Sequence, residues 1–195
     1  MRHPFASLTA PAAAIAIIIA SCSGREGSNP VPKPEAFPRI EMPDSTFTTV
    51  KAGEVDLTVN SGAVAEVTGK ENGDTWVTLA YPQVADGGVY LTLSRADGKP
   101  DAEAVMANRR ERMELNLAGA SGIATTLTSA GGWECEMLTS RTALSTPVQI
   151  LATDGRTVLS GTLYLPLRPG TNPDSVAPVI DAIDRDMLTL LKNLH

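Results

Sequence analysis

The sequence predicts an α+β domain in which an antiparallel sheet of about six or seven strands packs with a middle helix and a long C-terminal helix. Short segments that alternate apolar and polar residues recur from residue 39 onwards, separated by turns rich in Gly, Asn, Asp and Pro. Two longer segments change to helical spacing. No tandem repeat or second composition block interrupts residues 39–195, so we expect a single domain there.

The predicted strands follow one another in short steps. The first covers Arg39–Met42, at a sheet edge because prolines flank it, and Phe47–Val50 continues it. Further strands are predicted at Val55–Val59, Val64–Thr68, Thr75–Tyr81, Val89–Ser94, Ile123–Ser129, Trp133–Thr139, Val148–Ala152 and Val158–Leu165. Asp154-Gly155, between the last two, is the strongest hairpin signal in the chain.

The middle helix is predicted from Ala102 to Leu117, because apolar residues recur there at spacings of three, four and seven. Asp101 is its predicted N-cap, and Gly119 is the predicted stop. Arginines at positions 109, 110 and 112 alternate with glutamates. We interpret them as a solvated face with local ion pairs and not as a binding patch.

The C-terminal helix is predicted to begin near Asp174 or Ser175, with Pro178 tolerated in its first turn. Its apolar stripe comprises Val176, Val179, Ile180, Ile183, Met187, Leu190, Leu191 and Leu194. Its charged residues, which are predicted to lie mostly opposite, are Asp181, Asp184, Arg185, Asp186 and Lys192. One face of this helix is therefore expected to pack on the core.

The N-terminus has the three parts of a bacterial lipoprotein signal peptide over residues 1–21. A positive start precedes Ala12–Ala20, an apolar run too short to span a membrane permanently, and Ile19-Ala20-Ser21-Cys22 looks like a lipobox. Cys22 is then the predicted lipidation site, where acyl chains such as palmitate anchor the protein to a membrane. An ordinary cleaved signal with an incidental Cys22 is the alternative.

Residues 22–38 combine the lipidated cysteine with a Pro- and Gly-rich tether. Because few acidic residues follow Cys22, we expect the domain to face the periplasm, and the choice between inner and outer membrane stays open. The 195-residue chain has a net charge of −6, which argues against nucleic-acid binding, since neutralising phosphates needs a basic face.

Residues for nucleophilic or metal chemistry are scarce in the mature chain. Its one histidine is the terminal His195, and we find no zinc ligand set, phosphate-binding glycine motif or cofactor motif. Cys135, flanked by two glutamates, is predicted to be a buried structural cysteine. The chain has 22 acidic residues, so the sequence does not decide whether two of them form a carboxylate pair for acid–base catalysis. Trp76 and Tyr90 fit a groove and a core equally well.

Two blocks resemble the gliding-motility lipoprotein GldD family of the Bacteroidota. The first is Phe37–Pro43 with Trp76–Pro82, and the second is Gly161–Leu165, a Pro-containing loop and Asn172–Val179. The resemblance implies a lipoprotein associated with gliding and the type IX secretion machinery, with a GldE-like membrane protein as partner and no established catalytic residues. The layout of elements is also similar to Mog1/PsbP-like α/β/α sandwiches, a fold analogy that implies no function.

The function expected first is a non-enzymatic, membrane-anchored accessory lipoprotein of a cell-envelope complex. The alternatives are a periplasmic small-ligand or cell-wall binding module, which needs an apolar or aromatic cleft, and a carboxylate-based hydrolase, which needs buried acids clustered in a cleft. Arg168, Asn172 and Asp174, in the loop before the last helix, are candidate partner contacts. We expect alanine at Arg168 and Asn172 to weaken partner recovery with little change in melting temperature.

Overall fold

The computed structural model describes residues 41–84 and 86–195, which form nine strands and two helices. The strands are β1 (Phe47–Ala52), β2 (Val55–Asn60), β3 (Val64–Gly69), β4 (Thr75–Ala80), β5 (Gly88–Arg95), β6 (Ala124–Ala130), β7 (Trp133–Thr139), β8 (Val148–Thr153) and β9 (Thr157–Tyr164), and the helices are α1 (Lys99–Asn116) and α2 (Pro173–Lys192). The predicted signal peptide, Cys22, the tether and Arg39-Ile40 lie outside the described residues.

Seven strands form one antiparallel sheet in the order β3-β4-β5-β9-β8-β7-β6, and β1 pairs with β2 in a separate sheet. The α+β prediction is thus confirmed. Strands next to each other in sequence form hairpins within the large sheet, and β9 returns to pair with β5, so that Tyr90 lies opposite Thr162. The predicted Asp154-Gly155 turn joins β8 to β9, where Asp154 Oδ1 accepts a hydrogen bond from the backbone nitrogen of Arg156 at 2.8 Å.

The main core lies between one face of the large sheet and a second layer, which α2 and the β1–β2 hairpin form. All eight residues of the predicted α2 stripe are buried. On the opposite face of the sheet, α1 packs over β8 and β9. Its smaller core consists of Ala102, Met113, Leu151 and Val158. The helices therefore cover opposite faces, and the analogy with Mog1/PsbP-like sandwiches stays a prediction.

The first strand begins later than predicted. Glu41 and Met42 are not in a strand, and β1 starts only at Phe47. Pro43 has no N–H with which to extend a strand ladder. The carbonyl of Asp44 accepts from the Asn60 side chain at 3.3 Å, which binds this segment to the end of β2 without strand pairing.

The first helix begins earlier than predicted, so the N-cap assignment to Asp101 was wrong. α1 follows Gly98, whose φ of 93° is readily available only to glycine, and starts at Lys99. Asp101 lies in the first turn, where its carboxylate accepts a hydrogen bond from the backbone nitrogen of Asp97 at 2.9 Å. A carboxylate is favourable there because it faces the positive end of the helix dipole.

The last helix is capped by Asn172 and not by the predicted Asp174 or Ser175. Asn172 Oδ1 accepts a hydrogen bond from the backbone nitrogen of Asp174 at 3.0 Å. Asn is a favoured N-cap because its side-chain oxygen satisfies a backbone N–H that has no partner within the helix. With this earlier start, Pro178 lies inside the helix, beyond the first turn in which the sequence placed it.

Candidate functional site

One face of the large sheet is only partly covered, because α1 packs mainly over β8 and β9 and Arg109 reaches the end of β5 at Ser94. Three exposed aromatic side chains on this side of the sheet form what we call the aromatic face: Trp76 on β4, Tyr90 on β5 and Tyr164 at the end of β9. Their exposed fractions are 51%, 47% and 42%. Large aromatic groups on a surface mark candidate binding sites.

Strand alternation explains why these side chains are exposed. Val77 and Leu79 of β4 are buried in the main core. Successive side chains of a strand point to opposite sides of the sheet, so Trp76 points away from that core. Tyr90 lies between the buried Val89 and Leu91 in the same way. The sequence was compatible with Trp76 and Tyr90 lying either in a groove or in the core. The structure shows that they do not lie in the core. The same period-2 pattern could have indicated this.

The aromatic side chains are held by neighbours on the sheet. The rings of Tyr90 and Tyr164 meet edge to face, with centroids 6.4 Å apart and an interplanar angle of 62°. Lys70 Nζ lies 3.9 Å from the centroid of the Trp76 ring, within the range of a cation–π interaction. These contacts restrict the rings before any ligand binds, which lowers the entropy cost of binding.

A groove of about 540 Å³ separates α1 from the sheet, next to the aromatic face. We call it the α1 groove. It is lined by Thr92, Arg109, Arg112, Met113, Leu115, Asn116, Gln149, Ser160, Gly161 and Thr162. Strand pairing makes the two surfaces continuous, because Trp76 lies opposite Thr92 and Tyr90 lies opposite Thr162.

The floor of the α1 groove is a fixed polar network around Gln149, which is fully buried. Gln149 Oε1 accepts hydrogen bonds from Thr162 Oγ1 at 2.7 Å and from Asn116 Nδ2 at 3.3 Å. Gln149 Nε2 donates to the carbonyl of Thr146 at 3.0 Å. The buried amide is therefore satisfied, and it holds β8, β9 and α1 together at the base of the groove.

The arginines of α1 do not form the local ion pairs expected from the sequence. Arg110 reaches across to the sheet and binds Glu136 at 2.7 Å. Arg109 is half-buried and donates to Ser94 Oγ at 3.2 Å. Neither Arg109 nor Arg112 has a carboxylate within ion-pair distance among residues 41–84 and 86–195. The α1 groove is thus a locally basic site on an acidic chain.

The loop residues predicted as partner contacts have different roles. Asn172 is the α2 N-cap, so we now expect its replacement by alanine to lower the melting temperature, which differs from the expectation drawn from the sequence. Arg168 and Asp174 are exposed. The carbonyl of Arg168 accepts hydrogen bonds from Thr171, which close a turn. None of the three lines the α1 groove.

Asp186 is a buried carboxylate, although the sequence placed it on the polar side of α2. It is 4% exposed, and its Oδ2 accepts hydrogen bonds from Asn60 Nδ2 and from the Tyr81 hydroxyl, each at 3.0 Å. Burial raises the pKa of Asp186, while the bonds from Tyr81 and Asn60 oppose the rise. Burial and the nearby carboxylate also raise the pKa of Tyr81. Helical spacing could have indicated this position, since Asp186 follows the buried Ile183 by three residues.

Asp186 is not part of a cluster of buried acidic side chains of the kind that a carboxylate-based hydrolase would need. Asp186 is the single acidic side chain that is buried within the described part of the chain, and Asn60 and Tyr81 enclose it. Cys135 is buried, as predicted, and burial raises the pKa of its thiol. Among residues 41–84 and 86–195, no three His, Cys, Asp or Glu side chains are grouped closely enough to hold a metal ion.

Comparison with known proteins identifies the family. A family model described as gliding motility lipoprotein GldD matches residues 27–195. No curated protein matches the chain. Neither helix of the described residues is long and apolar enough to cross a membrane. Because the family match covers most of the sequence and includes both blocks from which the resemblance was drawn, this chain belongs to the gliding motility lipoprotein GldD family.

Proposed function

We propose that this protein is a non-enzymatic lipoprotein, anchored through Cys22, that supports a cell-envelope complex by binding a membrane-protein partner on its aromatic face. The proposal includes a periplasmic position, which the few acidic residues after Cys22 favour. It also includes a GldE-like partner and an association with gliding and type IX secretion, which the family resemblance implies. Arg168 and Asn172, on the loop that follows Tyr164, and Asp174, in the first turn of α2, remain proposed as contacts to this partner.

The observation that carries the proposal is the exposure of Trp76, Tyr90 and Tyr164 on a sheet face that α1 leaves uncovered. Aromatic side chains are enriched in the buried centres of protein interfaces, where they contribute a large share of the binding energy. The described residues hold only six aromatic side chains, and three of them lie on this one surface. Core packing does not account for that placement, because none of the three belongs to the main core on the other side of the sheet or to the smaller core beneath α1.

Site-specific photocrosslinking in the native host tests the proposal. A photoreactive amino acid at Tyr90 should capture a membrane protein in stoichiometric yield. Leu127 is the matched control, because it is a 74% exposed apolar residue on β6, at the opposite edge of the sheet. Capture at Leu127 but not at Trp76 or Tyr90 would overturn the proposed surface. A protein that crosslinks to nothing and behaves as a lone monomer in native membranes would overturn the accessory function.

Cell-wall binding is a second candidate, because the aromatic face adjoins the hydroxyl groups of Thr92 and Ser160 and the exposed amide of Asn116, which can hydrogen-bond a polar polymer. Aromatic surfaces pack well against apolar faces of ligands, and polar groups then provide specificity. Co-sedimentation with purified cell-wall sacculi tests it. This candidate requires that the protein sediments with sacculi and that Trp76→Ala releases it; a protein that stays in the supernatant rules it out.

A further inference from the structure

We infer that the α1 groove recognises carboxylates and takes an acidic peptide segment of the partner that docks on the aromatic face. The inference rests on the proposed function and assigns the groove a ligand class. Its basis is the combination of two arginines, a fixed polar floor and continuity with exposed aromatic residues.

The charge of the groove favours an anion. Among the residues that the structure describes, its lining contains Arg109 and Arg112 and no acidic side chain. Asp74 lines a neighbouring depression with the same arginines, but at more than ion-pair distance. The opposite flank of α1 differs, since Lys99 and Arg110 line a second groove there and each has a carboxylate partner. Only the α1 groove, of these two, offers cations for a ligand.

The groove also has the geometry for carboxylates. A guanidinium presents its N–H groups as a planar fork that matches the two oxygens of a carboxylate. Arg109 is half-buried and held by its hydrogen bond to Ser94, so less side-chain entropy is lost when it binds. The hydroxyl groups of Thr92 and Ser160 lie in the lining and can donate to a second oxygen.

The shape of the surface favours a peptide over a small ion. The groove is about 540 Å³, within the range of roughly 300–1,000 Å³ that is typical of ligand pockets. It continues across the sheet, from Thr92 to Trp76 and from Thr162 to Tyr90. A segment that carries acidic residues beside apolar ones can therefore reach the arginines and the aromatic rings at the same time.

Charge reversal in the native host gives the first test. Arg112→Glu should lower photocrosslinking from Tyr90 by at least about tenfold, because it puts two negative charges together in the complex. Lys99→Glu is the matched control, since Lys99 is also exposed and on α1 but lies in the other groove. It should leave the yield unchanged. If wild-type protein crosslinks at Tyr90 and Arg112→Glu does so equally well, the groove inference fails while the proposed function stands.

Direct binding gives the second test and needs no partner. The full chain in detergent micelles is titrated with a peptide of alternating Glu and Leu, with a Gln–Leu peptide as control, and binding is measured by calorimetry. We expect the protein to bind the Glu peptide and not the Gln peptide. The Arg112→Glu variant should not bind the Glu peptide, and high salt should weaken its binding to the wild type. Equal binding of both peptides would overturn it. Binding of inorganic phosphate or of anionic lipid vesicles as tightly as the Glu peptide would also overturn it, in favour of a general anion site.

Discussion

Replacing Tyr81 with phenylalanine should destabilise the protein more strongly when Asp186 is ionised than when it is protonated. The Tyr81 hydroxyl donates to Asp186 Oδ2 at 3.0 Å, and both side chains are buried. The other donor to this oxygen is Asn60. The carboxylate therefore connects the β1–β2 hairpin, the end of β4 and α2, and each donor that is removed leaves the buried charge less compensated.

The size of the effect follows from the charge on the acceptor. A hydrogen bond to a charged group contributes about 1.5–3 kcal/mol to stability, whereas one between neutral groups contributes about 0.5–1.5 kcal/mol. We expect Tyr81→Phe to cost about 2 kcal/mol when Asp186 is ionised and about 1 kcal/mol or less when it is protonated. A loss of about 2 kcal/mol lowers the melting temperature of a domain of this size by about 4–8 °C.

The pH dependence has a definite sign. Burial raises the pKa of Asp186 in the folded state above its unfolded value of about 3.9. The folded state then binds more protons between these two values, so the stability that Asp186 contributes is present below the unfolded pKa and is lost as pH rises through the folded pKa. Without the Tyr81 hydroxyl, the pKa of Asp186 rises further. The variant therefore loses more stability than the wild type as pH rises.

Urea unfolding, followed by circular dichroism at a series of pH values, measures the free energy of unfolding as Asp186 passes from protonated to ionised. The control is Tyr81→Phe in an Asp186→Asn background, where the acceptor is neutral at every pH. The difference between variant and wild type should grow with pH only when Asp186 is present. An equal loss at every pH value, or a pH-dependent loss that persists without Asp186, would refute the role assigned to this carboxylate.

Four other substitutions test separate parts of the molecule. Gly161→Ala should cost about 1–3 kcal/mol in urea unfolding, because a Cβ there would lie 2.5 Å from a Leu91 methyl carbon and 2.7 Å from Ile150 in the core. Asn172→Ala should cost about 1 kcal/mol through loss of the α2 cap, whereas Arg168→Ala should leave stability unchanged and weaken only partner recovery. Cys22→Ser should move the protein from the membrane fraction to the soluble fraction and abolish labelling with radioactive palmitate.

Each of these expectations has an opposite outcome. Wild-type stability for Gly161→Ala would mean that the core around β9 is looser than the contacts indicate. A stable Asn172→Ala variant would contradict its capping role. Undiminished partner recovery with Arg168→Ala would remove that residue from the proposed contact. If Cys22→Ser protein remained in the membrane fraction, the chain would be held there by something other than the predicted lipid.

The strands and the C-terminal helix could be predicted because their signals are local. Alternation identifies β2, β4 and β7 almost to the residue, and the α2 stripe is buried as its spacing requires. The predicted starts of both helices were wrong, because several residues near each start are suitable N-cap residues. Which one caps depends on the backbone conformation, as with the positive φ of Gly98, and on the contacts that follow from it.

The sequence by itself determined the α+β class, the strand order along the chain and the family resemblance, since alternation, turn residues and motifs are properties of neighbouring positions. Only the tertiary structure decided that α1 lies over β8 and β9, that Trp76 and Tyr90 are left exposed and that Asp186 is buried. These outcomes depend on which distant elements share a face of the sheet. Local periodicity indicates which side of an element is apolar, but it does not indicate what covers that side or how far the covering extends.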